Sequence, residues 1–552
     1  MKKTIGKLFH DMVVSAKNLL TRKKEETNNM NVFPVPDGDT GINMSLTMGN
    51  VSGVDENLTL GQAAEETANQ MLRSARGNSG AILSLFFRGV GKAFHELNEA
   101  NALAWVKAFE AGTKEAYRAV MTPAEGTILT VMRIASEDAR AAYTANRKIS
   151  VNQLFDVVVE SAERTLAQTP EMLPVLKEAG VVDAGGYGFV CVLQGMKAVL
   201  DGHPIDADPE AEEAEAKEAS FASFETSDIT FGYCTECIVD KNEEHFGENT
   251  AKALCEFITS IGDSVVFVDD EKMIKLHVHT NDPGRVLSEA LLYGSLFTVK
   301  IENMRNQHTA LVADAANAAQ PKEESAPLRI EKKFGFVSVC MGEGIKNLFL
   351  DVGVDAVIEG GQTMNPSTQD LIDAVYKTPA EVVYVLPNNK NIAMVARAAA
   401  ELVTERRVIV LPTRSVPEGV AAMIAYNPDA SAEENVDAME TAIERVTTMS
   451  VTYAVRDSKM GRFRISKGQY LGLVENTIAC VSNSSEACMK QLARGMADAG
   501  FVTILYGEKV SEEDAEKVAE YIRKNTENGC EVSVMYGGQP IYDYVVWVEQ
   551  PQ

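Results

Sequence analysis

The sequence predicts a multidomain chain with an all-α first part, a small α/β middle part and an α/β last part. Three observations predict it. Residues 1–205 run helix after helix, residues 225–314 mix strand-like and helical stretches, and residues 334–552 alternate buried-looking strands with helices. Two stretches without a core face divide these parts. Residues 206–224 carry Asp206, Asp208, Glu210, Glu212, Glu213, Glu215 and Glu218 among alanines, and residues 315–333 carry Gln320-Pro321-Lys322-Glu323-Glu324-Ser325-Ala326-Pro327. Both read as linkers, the first acidic. A length of 552 residues fits about three or four domains, and no short-period repeat points to a solenoid or propeller.

In the first part, apolar residues recur at three- and four-residue intervals over 60–73, 81–98, 105–121, 127–145 and 151–169, with Gly, Pro and Asn in the loops between. Residues 1–24 show the same spacing from Ile5 to Leu20, but Lys7, His10, Asp11 and Lys17 interrupt it as no signal-peptide core allows. In the middle part, 233–239, 264–269 and 273–279 read as strands and 249–261 and 283–293 as helices. In the last part, strands at 334–339, 382–386 and 408–411 alternate with helices at 367–376 and 392–402, which implies a mostly parallel sheet with helices on its faces.

Composition excludes several function classes. A formal charge of -27 argues against nucleic acid or an anionic membrane as the main partner, since such surfaces need a local excess of Lys and Arg. Eight scattered cysteines form no disulfide framework, so a reducing cytoplasm is the expected home. No uninterrupted apolar run is long enough to span a bilayer.

The run N-V-F-P-V-P-D-G-D-T-G from Asn31 to Gly41 puts two carboxylates one residue apart in a stiff loop. Pro34 and Pro36 fix φ on the approach, and Gly38 lets the chain turn between Asp37 and Asp39. Thr40 and Asn43 follow as polar groups at the start of a helix. Mg2+ is held by one or two carboxylates and otherwise by waters and substrate phosphates, so the loop reads as a metal and phosphate site, although an ordinary Asp-Gly-Asp turn uses the same residues. Further loops extend that reading. Arg76-Gly77-Asn78-Ser79-Gly80 precedes an apolar helix, where small residues let a phosphate reach backbone N–H groups and Ser79 adds a hydroxyl. Glu125-Gly126-Thr127 repeats the loop-then-helix arrangement, with Thr127 placed either to cap the helix or to touch a nucleotide. Four glycines fall within the nine residues 180–188, around Asp183, Gly185 and Gly186, a density that close backbone approach to a ligand explains.

These motifs, N-V-F-P-V-P-D-G-D-T-G-I-N-M, R-G-N-S-G-A-I-L-S, P-A-E-G-T-I-L-T and D-A-G-G-Y-G-F in that order, resemble the nucleotide-binding domain of dihydroxyacetone kinases, in the version found in the bacterial fatty acid kinase A subunit. They cover residues 31–189, and a DegV-like C-terminal region extends the similarity over nearly the whole chain. The resemblance implies a barrel of about eight helices holding ATP and two Mg2+ ions. Asp37 and Asp39 match the family's metal-binding aspartates. Where the family has a third acid, the nearest polar residue upstream here is Asn31, whose amide oxygen binds Mg2+ with less charge. The resemblance also implies a homodimer and a separate fatty-acid-binding protein of the DegV family that presents the acyl carboxylate, so that the product is an acyl phosphate for phospholipid synthesis. A carboxylate acceptor is already anionic and needs no strong general base. A dihydroxyacetone-type kinase would add a histidine that holds its substrate covalently, and no such motif occurs among the seven histidines. A non-catalytic, lipid-responsive regulator would keep the loops and lose metal ligands, which intact Asp37 and Asp39 oppose.

The middle part carries a separate metal signal in Cys234-Thr-Glu-Cys237 and His277-Val-His279. Residues two apart on a strand share a face, so His277 and His279 can meet one Zn2+, with Cys234 as third ligand and Cys237 as a further candidate, although Cys234 and Cys237 point to opposite faces of a strand. The alternative is a core cysteine beside two exposed histidines. In the last part, Glu359–Thr368 and Pro387–Asn391 follow strands, at the ends where open α/β folds place ligands. Whether they serve lipid binding, a partner protein or self-association stays open on this reading.

Overall fold

The computed structural model describes residues 4–31, 38–120, 123–207, 233–241, 250–269, 273–303, 330–361, 365–454, 457–460, 463–526 and 530–549. They fall into two compact units, Met1–Ala207 with Pro327–Gln552, and Asp208–Ala326. Most of both expected linkers lies outside the described residues, as does Asp37.

The first part is helical apart from the short strand pair β1 Thr4–Ile5 and β2 Glu99–Ala100: α1 Gly6–Arg22, α2 Lys24–Met30, α3 Thr40–Thr47, α4 Leu60–Ser74, α5 Gly77–Phe94, α6 Ala102–Ala119, α7 Ile128–Ala145, α8 Val151–Met172, α9 Pro174–Ala179 and α10 Ala184–Leu200. Ser150 with Gln153 and Thr59 with Gln62 form capping boxes that set where α8 and α4 begin. The long helices pack in the order α1, α4, α5, α6, α7, α8, α10 and back to α1, which closes a ring. Among the described residues that ring has seven long helices where eight were expected. Its core is aromatic: Trp105 meets Phe155 edge-on at 4.9 Å and Phe94 at 5.0 Å, and its indole N–H donates to Thr4 Oγ1 at 2.9 Å. At the seam of α1 and α10, a Cβ on Gly195 would lie 2.5 Å from the Cα of Ala16, so only glycine permits that closure.

The middle unit is a four-stranded sheet in the order β4 Gly262–Asp269, β5 Met273–Thr280, β3 Tyr233–Lys241, β6 Gly294–Asn303. Every pairing is antiparallel, which makes this unit α+β rather than α/β. Helices Thr250–Ile261 and Pro283–Ala290 share a core with alternate strand residues, among them Cys237, Val239, Ile274, Leu276 and Val278.

The last part departs from the single, mostly parallel sheet expected. A parallel sheet of four strands, ordered β10 Arg407–Val410, β9 Ala380–Leu386, β7 Lys332–Cys340, β8 Ala356–Glu359, is followed by a six-stranded sheet that is antiparallel except at one pair. The second sheet contains the hairpin Tyr470–Val474 and Thr477–Ser482, whose two-residue turn puts Glu475 at φ 48° and Asn476 at φ 63°, the conformation that tight hairpins need. Short alternating strands look alike in either kind of sheet until such turns are placed. The loops after β8 and β9 lie at the carboxyl ends of parallel strands, and both reach residues of the helical ring.

Candidate active site

Four helices of the first part, α3 together with α5, α7 and α10 of the ring, point their N-termini into one cavity of about 370 Å³. Asp39, Thr40 and Asn43 enter from α3, Asn78 and Ser79 from α5, Thr127 and Ile128 from α7, and Asp183, Ala184 and Gly185 from α10, while Asn31 follows α2. The positive ends of four helix dipoles thus meet in one place, which favours an anion. Ile82, Leu129, Leu173, Val175 and Leu176 supply an apolar wall.

Local chemistry relieves one of the two acids, Asp39, of capping duty. Asp39 occupies the N-cap position of α3 yet makes no capping bond; Asn28 does that work, accepting from the N–H of Gly41 at 2.8 Å and of Ile42 at 3.2 Å. The Asp39 carboxylate is 5% exposed and is bonded by the side-chain amides of Asn43 and Asn365, the latter at 2.7 Å. Burial raises its pKa above the ordinary carboxylate value, and the two amides only partly oppose that shift. Asp183 caps α10 by accepting from Gly186 N–H at 2.7 Å and also accepts from Ile128 N–H, so it ties the starts of α10 and α7 together. Burial pushes its carboxyl up to about 6.

Other expected site residues do different work. Gly77, Gly80 and Gly186 do not line the cavity. A Cβ on Gly80 would sit 2.3 Å from Thr47 Oγ1 and one on Gly77 2.7 Å from Asn43 Nδ2, so these glycines let α5 approach α3. All of Gly77–Gly80 belongs to the first turn of α5 rather than to a loop before it. Thr127 stands at the N-cap of α7, but its hydroxyl donates backwards to Ala124 O at 2.8 Å instead of capping.

The loops after β8 and β9 complete one wall. Asn365 O accepts from Arg76 Nη1 at 2.7 Å, and Thr368 N–H donates to Ala75 O at 3.2 Å. Asn391 Oδ1 accepts from Asn78 Nδ2 at 3.1 Å, and Lys390, Asn391 and Met394 line the same cavity. Sequence reasoning singled out both loops as ligand-bearing but attached them to a site of their own. No local signal says that they fold back on residues 75–78.

The buried oxygens of Asp39, with the orphaned amide oxygen of Asn365 beside them, suit a hard cation. Among the described residues no group of three or more His, Cys, Asp or Glu side chains is gathered for a metal, so any ion here takes most of its ligands from amides, water and substrate.

The chain aligns with Protein YloV of Bacillus subtilis (strain 168) at 41% identity over 557 residues, covering 99% of each sequence. The chain belongs to the FakA-like fatty acid kinase family. Its parts match a DAK2 domain at residues 34–198, the FakA-like middle domain at 230–311 and the FakA-like C-terminal domain at 335–549. Uncharacterized protein SH1689 of Staphylococcus haemolyticus (strain JCSC1435) is 38% identical over 100% of both chains. Among solved structures, the DegV family protein Cg2579 from Corynebacterium glutamicum is 16% identical, with a TM-score of 0.32 over 40% of this chain and 99% of its own. In this FakA-like chain the cavity therefore lies in the DAK2 domain, with one wall contributed by the family's C-terminal domain.

In the middle domain the strand register sets Cys234 opposite His279 and Glu236 opposite His277. Cys237 faces Leu276 and is buried in the apolar core, where burial pushes its thiol up to about 11. It is on the other face of the sheet from positions 277 and 279, which removes it as a ligand. No helix among the described residues is long and apolar enough to cross a membrane.

Proposed function

We propose that the chain is the ATP-dependent kinase component that phosphorylates the carboxylate of a fatty acid presented by a separate fatty-acid-binding protein of the DegV family, releasing an acyl phosphate. The observation that carries this reading is the convergence of four helix N-termini and the buried Asp39 on one cavity, in the DAK2 domain of a FakA-like chain. The positive ends of α3, α5, α7 and α10 hold the phosphates of ATP, and the Ser79 hydroxyl adds a donor. Asp39, Asn43 and Asn31 hold Mg2+, together with Asp37. Bound Mg2+ neutralises charge on the phosphate oxygens during transfer. The apolar wall of Ile82, Leu129, Leu173 and Leu176 takes the nucleotide's flat, less polar end and keeps water away from the phosphates. With an ionised carboxylate as acceptor, no residue has to remove a proton, and the task left to the protein is to screen charge and align the acceptor.

The test is turnover by the full chain with ATP, Mg2+ and a fatty acid loaded on a DegV family protein, the acyl phosphate being trapped with hydroxylamine. Hydroxamate formation that needs both proteins supports the reading. Nucleotide consumption with dihydroxyacetone and none with the loaded acyl chain would replace it by the small-metabolite kinase.

For the middle domain we infer one Zn2+ held by Cys234, His277 and His279. The support is the register that pairs Cys234 with His279 on adjacent antiparallel strands, with position 277 two residues along the same strand.

A further inference from the structure

Helix Lys390–Leu402 of the last part lies along α5 of the ring with a constant offset. Asn78 bonds Asn391 at 3.1 Å and Arg88 bonds Glu401 at 3.3 Å, and each pair is separated by 313 residues. An unchanging offset means that the two helices run parallel, so their N-termini lie side by side at the cavity. Two positive dipole ends set together are unfavourable unless an anion lies between them. The first residue of the second helix adds to that cost. Lys390 is a cation at the end of a helix where acids are favoured, while Asn389, the N-cap, bonds Asn391 N–H at 2.8 Å. Among the described residues that line the cavity, Lys390 is the one cation; Asp39 and Asp183 are the acids. Lys390 borders both this cavity and the neighbouring cleft of the last part, so a cation stands at the edge of an anion site on a helix start that locally favours acids, a placement that serves an anion bound in the cavity.

We propose that Lys390 contacts the β- and γ-phosphates of the bound nucleotide, so that the kinase site is completed by the last part of the same chain. The inference rests on the reading of the cavity as the nucleotide site. A lysine there offsets the negative charge that moves onto the leaving phosphate during transfer, and it ties catalysis to the seating of Lys390–Leu402 on α5.

The experiment titrates the full chain with Mg·ADP, Mg·ATP and adenosine by calorimetry and measures turnover, for the wild type, Lys390→Met, Lys390→Arg and Ala124→Trp. Lys390 is exposed, so its replacement leaves the core alone, and Ala124 is an exposed residue of the cavity wall that a tryptophan would fill. The expected result is weaker Mg·ATP binding in Lys390→Met by about 10- to 100-fold with adenosine binding unchanged, substantial recovery in Lys390→Arg, and loss of all nucleotide binding in Ala124→Trp. Equal Mg·ATP affinity and turnover in Lys390→Met and wild type, with binding lost in Ala124→Trp, would overturn the role of Lys390 alone. Undiminished nucleotide binding in Ala124→Trp would overturn the cavity reading itself.

Discussion

Asn365 Nδ2 donates to Asp39 Oδ2 at 2.7 Å, joining residues 326 positions apart in sequence. The bond is buried, and it reaches from the loop after a strand of the last part to the acid at the start of α3. Because Asp39 is held above its ordinary pKa by burial, this amide is one of two side chains, with Asn43, that make the ionised form tolerable.

Replacing Asn365 with Ala should therefore destabilise the unit that contains it by about 2 kcal/mol near neutral pH, the usual cost of stripping a hydrogen bond from a buried charge. The loss should shrink as pH falls, since protonated Asp39 needs the amide less. Thermal unfolding of wild type and variant at pH 5 and pH 7.5 checks this, and a penalty independent of pH would mean that the contact is only packing.

Asp39→Ala should lower phosphoryl transfer by a factor on the order of 10³, as expected when a group that holds charge-neutralising metal is lost. Asp37→Ala should do the same. The substitution takes away a buried charge that opposes folding and also strips Asn365 Nδ2 of its acceptor, so the two effects oppose each other and the melting temperature should change little. Wild-type turnover in either variant would end the metal role assigned to the pair.

Asp183 gives a pH signature. Its folded pKa of about 6 lies above the unfolded value near 3.9, so the folded state binds the proton more tightly and stability falls as pH rises from about 4 to about 6. The full effect is about 3 kcal/mol, complete above pH 6 and absent below the unfolded value. Asp183→Asn keeps an acceptor for Gly186 N–H and removes the titration. The variant should gain on wild type across that window, and a difference in melting temperature that stays flat from pH 4 to pH 7 would refute the burial argument.

Elemental analysis of the purified chain should find about one zinc per chain, and His277→Ala or His279→Ala should lower it, with some loss of stability because metal binding couples to folding. Cys237→Ser should leave zinc content unchanged, since Cys237 lies in the core. Metal-free native protein would dispose of the site.

Much of this was legible in local pattern. The helical periods from Leu60 onward, the strand at Lys332–Cys340 and the cap at Ser367 follow from spacing and side-chain chemistry that act within a few residues. So does the gathering of Asp39, Asn43, Asn78, Ser79 and Asp183, since each sits at a helix start whose composition betrays it, with Asn31 just after the end of α2. What stayed hidden depends on distant partners. Asn365 and Asn391 look like ordinary loop and helix-start residues until they meet Asp39 and Asn78, and Gly80 looks like a phosphate loop until Thr47 is placed against it. The division of the last part into two sheets was likewise hidden, because strand pairing is set by turns and long returns rather than by composition.

One such return governs how the chain can be made. Strand Tyr542–Glu549 lies in the interior of the six-stranded sheet, paired on one side with Val446–Tyr453 and on the other with Phe501–Tyr506. While the ribosome is still short of Tyr542, those two neighbours have nothing between them and the sheet exists only as separate halves. The helical ring has no such dependence and can close hundreds of residues earlier. A nascent chain therefore carries a finished ring before its late sheet can form, and a stop codon between Tyr536 and Tyr542 would sever that sheet at its centre rather than trim its edge.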